Sequence, residues 1–400
     1  MRKYIEKFTE GILMVSSSIT TIIVLLIIIF LFREGIGLFN DTGISDDYKV
    51  AVNKNNSIST LSAKQIKDVF NQDITNWKQL GGKDESIILF GINEIGTYYS
   101  EEQLGANFEH MPEKVNEFVS KHPGVLAVFS QKFIPKNFQG KELHIHKISL
   151  TKMLFGKEWY PSSRPAALFG ILPLILGTLW VSIGAILIAL PLGMATAIYM
   201  AEIANNKVRN TLKPIIELLS GIPSVVYGFF GLIVIVPLIQ TTFNLPVGES
   251  ALAGSIVLGI MALPTIITIA EDAIRTTPRS LKEASLALGA NKWQTIVRVC
   301  IPYGASGITA GIILGVGRAM GETMAVLMVT GNAGVIPHSF LQPVRTIPAT
   351  IAAELGETAV GSSHYKALFV LGAILFIITL IINLMVEFVK GKKRILSNNS

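Results

Sequence analysis

Six apolar stretches, at about Gly11–Phe32, Leu168–Met200, Pro214–Gln240, Ala251–Ala270, Tyr303–Thr330 and Tyr365–Val389, constrain this chain more than any other feature. An α-helix rises 1.5 Å per residue, so roughly 20 apolar residues cross the hydrocarbon of a bilayer, and each stretch reaches that length. Half of the 400 residues are hydrophobic and only 16% are charged, a balance too apolar for an ordinary soluble chain of this length. Several stretches exceed a perpendicular crossing and contain Pro173, Pro191, Pro223, Pro237 and Pro264, so tilted and kinked helices are expected. The fold class that follows is an α-helical polytopic membrane protein with six transmembrane helices.

The first stretch follows a short basic, amphipathic start, Met1 to Glu10. It is too long for a secretory signal, and Phe32-Arg33-Glu34-Gly35 offers no small-residue cleavage site, so it reads as an anchor. From Arg33 to about Arg164 the composition turns to that of a soluble domain, rich in Asn, Lys, Glu and Asp. Lys49–Asn53, Ser86–Phe90 and Val125–Phe129 read as strands, and Ser62–Phe70 and Pro112–Ser120 as helices opened by capping or first-turn residues. An α+β insert between the first two spans is the expectation. Cys300, the single cysteine, excludes an internal disulfide and is expected to be packing at a helix end.

The net charge of +6 is topological. Arg2, Lys3 and Lys7, then Lys207, Arg209 and Lys213, then Arg275, Arg279, Lys282, Lys292 and Arg298, then Lys390, Lys392, Lys393 and Arg394 all fall on one side of a six-span threading. The opposite loop at Thr241–Ser250 has no basic residue, and that at Gly331–His364 has only Arg345. The positive-inside rule then places both termini in the cytoplasm and the insert outside, and no nucleic-acid partner is implied. The expected division is a tail and first span at 1–32, the insert at 33–164, a five-span core at 165–390 and a cytoplasmic tail at 391–400.

One polar segment interrupts the core, Pro278 to Pro302. Leu281, Ala284, Leu288 and Trp293 can share an apolar face while Arg279, Lys282 and Lys292 stay solvated, and Gly289 supplies a positive φ between two helices. Periodicity alone suits either an interfacial helix on lipid headgroups or a helix docked in a protein groove. Glu283-Ala284-Ser285, Gly289 and then Val299, Ile301 and Pro302 resemble the EAA loop of importer-type ABC permeases, which favours docking. The resemblance implies a helix, a glycine turn and a second helix, with Glu283, Ala284, Ser285, Gly289, Ala290 and Lys292 contacting an ATPase.

Deeper in the chain, Gly307, Gly311 and Gly315 form a smooth strip for close helix contact, and beyond them stand Arg318 and Glu322. They are expected one turn apart on one helical face near mid-membrane, where insertion scales put the cost of an ionisable group at about 2.5–3.5 kcal/mol. Two readings stand. The pair neutralises itself and fixes packing, or Arg318 meets a passing anion while Glu322 holds the guanidinium and prevents tight retention.

The segment GVGRAMGETMAV, with ELLSGIPSVVYGFFG at Glu217–Gly231, FGKEWYP at Phe155–Pro161 and FGILPLILGT at Phe169–Thr178, closely resembles the PstC-type permeases of bacterial phosphate-specific ABC importers. That resemblance implies a PstA-type companion permease, a dimeric PstB-type ATPase and a PstS-type periplasmic receptor. It also implies Arg318 and Glu322 as the charged pair of the phosphate pathway. Glu217 belongs to a family motif too, and it is expected near a helix start, where dipole stabilisation explains it equally well. In the insert, Leu61–Phe70, Asp73-Ile74-Thr75-Asn76-Trp77, Gly81-Gly82 and His122–Leu126 resemble part of one lobe of a phosphate-binding protein. Gly96 and Thr97 fall at its anion loop, but Ile95 replaces the loop serine and no arginine lies between Arg33 and Arg164. A degenerate docking or structural role is favoured over retained phosphate binding. His144 and His146 share a strand face without a third ligand, so no metal site is expected.

No catalytic constellation is visible, and no G-x-x-x-x-G-K-[ST] loop is present. ATP and Mg are therefore expected on the partner ATPase, with no cofactor on this chain. The rival readings are a permease for sulfate or molybdate and a membrane sensor whose outer domain reads a ligand.

Overall fold

The computed structural model describes residues 2–398 except 46 and 106, with side chains described from 9 to 385 apart from those two. The basic side chains at 2–7 and 390–394 used to orient the chain thus lie outside the described residues. Two compact units emerge, one comprising 1–32, 171–360 and 368–400, the other comprising 33–170 and 361–367. The first element, α1 (Arg2–Ile36), contributes almost wholly to the former.

The second unit is the α+β insert. Its strands are β1 (Tyr48–Val52), β2 (Thr60–Leu61), β3 (Ile88–Gly91), β4 (Val125–Ser130), β5 (Lys141–Glu142), β6 (His144–Ile145), β7 (Trp159–Tyr160) and β8 (Leu168–Phe169). Its helices are α2 (Ala63–Phe70), α3 (Ile95–Tyr98), α4 (Glu101–Leu104), α5 (Met111–Lys121) and α6 (Leu150–Phe155). The main sheet runs β3-β4-β1-β5, with β4 antiparallel to β1 (Val50 opposite Val128) and parallel to β3 (Phe90 opposite Ala127). Strand alternation sends Val50, Val52, Leu126 and Val128 to one core with Ile66, Val69 and Trp77. Ala51, Val125, Ala127 and Phe129 go to the other face, against Met111, Val115, Phe118 and Val119 of α5. Because β4 is covered on both faces, it reads in sequence as an unbroken apolar run rather than an alternating one. Ser62 and Gln65 close a capping box at the start of α2, and the Trp77 indole N–H donates to the Gly124 carbonyl at 2.9 Å.

In the first unit, α7 (Leu172–Ile198), α8 (Asn206–Ser220), α9 (Ser224–Phe230), α10 (Val236–Thr242), α11 (Ala251–Arg275), α12 (Arg279–Ala287), α13 (Lys292–Thr295), α14 (Ile301–Gly321), α15 (Met324–Val329), α16 (Ile347–Glu354) and α17 (Ser363–Asn398) follow in order, α17 entering the second unit at 363–367. Among the described residues six helical segments are long and apolar enough to cross a membrane: Thr9–Asn40, Leu172–Ile203, Ser224–Thr242, Ala251–Arg275, Lys292–Gly321 and Ser363–Met385. The protein is therefore a six-span helical membrane protein with an α+β insert.

At the centre, α11 packs between α7 and α14 at glycine-sized separations. A Cβ on Gly184 would lie 2.2 Å from the Ser255 hydroxyl, and one on Gly193 2.9 Å from Ile266. The strip on α14 does the same, Gly307 against Ala273, Gly311 against Ile269 and Gly315 against Ile266. Cys300 is fully buried in a small apolar cluster with Ala197, Ala270, Ile274 and Ile308.

Two expected spans need correction. The stretch Pro214–Gln240 is not one helix: α8 ends at Ser220, and the span begins at Ser224. Pro223 lacks an N–H and disfavours helical backbone at Ile222, so the chain breaks at Gly221-Ile222-Pro223. Nor is Tyr303–Thr330 continuous, because α14 ends at Gly321 and Glu322 is extended, with φ −70° and ψ 133°.

Candidate functional site

The break after Gly321 organises the candidate site. Arg318 sits in the last turn of α14, where the negative end of the helix dipole favours a cation. Nothing lies within 4 Å of a Cβ built on Gly317 or Gly321, and Leu314 is exposed, so this side of the helix is open. The Arg318 charge reaches the Tyr227 phenol of α9, whose hydroxyl donates to the Leu219 carbonyl at 2.8 Å. Among the described residues, neither Arg318 nor Glu322 has an ion pair or hydrogen bond.

That geometry corrects the expected pairing of the two charges. Had the helix continued, residues 318 and 322 would share a face; the extended backbone at Glu322 instead turns the carboxylate out of that register. Glu322 lines a void with Thr178, Ser182, Leu258, Val326 and Thr346 that is too narrow for a water molecule. The Thr178 hydroxyl accepts from the Ile347 N–H at 3.0 Å and donates to the Leu174 carbonyl at 2.7 Å. Arg318 and Glu322 thus stand as half-buried, unpartnered, opposite charges on either side of a broken helix.

Glu217 is likewise displaced from its expected setting. It lies in the last turn of α8, not near a helix start, and it is exposed. An acid there opposes the dipole, so dipole stabilisation does not explain it.

The segment 278–302 forms a helix, a turn and a helix. Gly289 takes φ +85° after α12, and Asn291 and Gln294 close a capping box on α13. Ser285 and Thr295 hydroxyls meet at 3.0 Å, and the Ala290 N–H donates to the Ser285 carbonyl at 3.2 Å, pinning the two helices together. Glu283, Ala284 and Lys292 are exposed, as are Leu281, Leu286, Leu288 (90%) and Trp293 (59%). Lys282 departs from the expectation of a solvated residue: its ammonium donates to Glu202 at 2.5 Å, anchoring α12 to the end of α7's span.

Sequence reading missed a buried acid next to this segment. Glu271 on α11 is fully buried and receives Arg209 Nε at 3.1 Å, Lys213 Nζ at 2.8 Å and Arg275 Nη1 at 3.4 Å. Lys213 also meets Asp272 at 2.7 Å. Burial opposes the Lys213 charge, yet the hydrogen bonds to Asp272 and Glu271 together raise its pKa above the ordinary lysine value.

In the insert, Gly96 and Thr97 fall in the four-residue α3 and are exposed, and the Thr97 hydroxyl donates to the Glu94 carbonyl. A separate cleft of about 550 Å³ beside α2 and α6 is ringed by Lys64, Lys147, Lys152 and Lys157 with Asp68 and Glu158 among them. His144 and His146 are both exposed.

Residues 189–395 match the family model for the binding-protein-dependent transport system inner membrane component. A probable ABC transporter permease protein of Bacillus subtilis, YqgH, is 41% identical over 251 residues, 63% of this chain and 81% of its own length. The phosphate transport system permease protein PstC of Mesorhizobium japonicum is 41% identical over 248 residues, 57% of this chain and 75% of that one. Among solved structures, an inward-facing MetNI methionine ABC transporter aligns with 57% of this chain and 94% of its own at 19% identity, with a TM-score of 0.40.

Proposed function

The chain belongs to the family of binding-protein-dependent transport system inner membrane components, and from that membership we infer the permease subunit of an ATP-driven phosphate importer. The observation that carries the mechanism is the pair of unpartnered charges, Arg318 and Glu322, at a helix break inside the membrane unit. Contrary to the expected mid-helix position, Arg318 lies in the last turn of the span that ends at Gly321 and Glu322 lies just past it; unpaired charges in a membrane unit are costly wherever lipid surrounds them, so each is retained for a pathway or a partner.

Arg318 carries a planar fork of donors beside the open positions Gly317 and Gly321 of α14, and such a fork matches a tetrahedral oxyanion. Its own helix end keeps the site from being strongly positive, and the Glu322 carboxylate repels a bound anion. Conduction requires both, since an anion must enter and must also leave. Glu217, exposed and without a dipole role, is the third pathway residue.

The assembly comprises this chain, a PstA-type companion permease, a PstB-type ATPase dimer and a PstS-type receptor. ATP and Mg bind the ATPase, and this subunit is non-catalytic. The exposed Leu281, Leu288 and Trp293 on the pinned helix-turn-helix are suited to a groove on the ATPase, with Glu283, Ala284, Ser285, Gly289, Ala290 and Lys292 completing the contact. Positive charges at the ends of alternate spans support cytoplasmic termini and an extracytoplasmic insert at 33–164 between the anchor and the core, with the tail at 391–400 inside. A docking or structural role suits the insert better than phosphate binding: the Gly96–Thr97 turn follows Glu94, and no arginine is present to clamp an anion.

Uptake by the reconstituted four-component complex tests the reading. ATP-dependent accumulation of labelled phosphate, unaffected by excess sulfate or molybdate, is the expected result. Accumulation of sulfate or molybdate instead would remove the substrate assignment and leave the permease. Ligand-dependent signalling with no flux of any anion would favour the sensor.

A further inference from the structure

Another arginine of the membrane unit lies outside the site just described. Arg345 is the only lysine or arginine between Gly331 and His364, and its side chain is 22% exposed. One terminal nitrogen, Nη1, meets Glu354 Oε1 at 2.9 Å. The guanidinium Nε is fully buried and, among the described residues, has no hydrogen-bond partner. An arginine fixed only for packing usually engages a carboxylate through two parallel N–H groups. Here a single contact neutralises the charge and leaves the Nε edge of the fork unused.

The backbone at Arg345 is held on every side. The Arg345 carbonyl lies against Gly177, where a Cβ would approach to 2.3 Å, so only glycine is accommodated at 177. The Val344 N–H donates to the Thr330 carbonyl at 2.9 Å, and the Ile347 N–H donates to the Thr178 hydroxyl at 3.0 Å. Thr346, the next residue, caps α16 and lines the same void as Glu322. Arg345 is therefore a rigidly mounted cation, one residue from the wall that carries the Glu322 carboxylate, with a buried donor unsatisfied. Buried orphan donors are rare in native proteins, so one on a charged group needs an explanation.

We propose that Arg345 is a second oxyanion-contacting residue of the same pathway, with Glu354 as its positioning partner. The proposal rests on the phosphate-permease reading. The contact is one oxyanion oxygen accepting from the Nε–H while Glu354 retains Nη1.

The test compares wild type, Arg345→Lys, Glu354→Gln and the charge swap Arg345→Glu with Glu354→Arg, all in the complete complex with labelled phosphate at saturating receptor. Lysine keeps the pairing with Glu354 but lacks the fork, so Arg345→Lys assembles, keeps receptor-stimulated ATP hydrolysis and loses about tenfold in maximal uptake, the factor expected for one charge-assisted hydrogen bond. The swap restores assembly without restoring uptake. Normal uptake by Arg345→Lys, or uptake restored by the swap, overturns the proposal and makes the pair structural; so does failure of Arg345→Lys to assemble. If wild type itself moves no phosphate, the permease reading has failed, an outcome distinct from failure of Arg345 alone.

Discussion

Glu271 shows how much of this molecule depends on residues distant in sequence. Its cationic partners lie 62, 58 and 4 positions away, so the chain order shows only an acid at the end of a span and basic residues near other ends. The sequence offered those basic residues as topological charges but not as ligands of one buried carboxylate. Removing that carboxylate leaves three cations facing one another around a site with no exposure. Glu271→Ala is therefore expected to destabilise the chain by about 3–5 kcal/mol, the range for breaking a buried ion pair. Thermal unfolding in detergent would show it, and a melting temperature equal to wild type would mean the network is incidental. Arg318 and Glu322 are the complementary case: the sequence marks them by their cost in lipid, yet their mutual geometry depends on one backbone break that no periodicity reveals.

At the scale of elements, the polar segment 278–302 was legible nearly whole. Its polar composition between apolar runs, its apolar positions and Gly289 specify two short helices with a left-handed turn between them. What sequence could not supply was the mounting, namely the Ser285–Thr295 hydroxyl contact and the Lys282–Glu202 pair. Helix ends were legible where a cap marks them, as at Ser62, and misread where an apolar run continues past a break, even one that Pro223 marks. Such a run looks the same in a spanning helix and in the surface helix α8 that precedes one, because lipid and a protein partner both accept Ile215, Leu218 and Val225. The exposed face of α12 and α13 carries its own prediction. Leu288→Glu and Trp293→Ala should each reduce co-purification of the ATPase by roughly tenfold or more, as loss of a central anchor does, with this chain still inserted and its insert folded. Full retention of the ATPase by both variants would return the segment to the lipid surface.

At the scale of the whole molecule, an α+β insert and a six-span core are joined in one chain, and their separate cores follow from separate composition. The insert's sheet and helices arise from alternation and caps in a polar background, whereas the core holds together through glycines that bring α7, α11 and α14 close where no hydrophobic effect between helices operates. Transport is the property of the core, and in the proposed mechanism the oxyanion passes Arg318. ATP-dependent phosphate uptake by complexes carrying Arg318→Ala, with assembly checked by co-purification of every subunit, tests this. An intact complex whose uptake falls to background while ATP hydrolysis persists is the expected result. Wild-type uptake by an intact Arg318→Ala complex would contradict it and leave Arg318 as a packing residue.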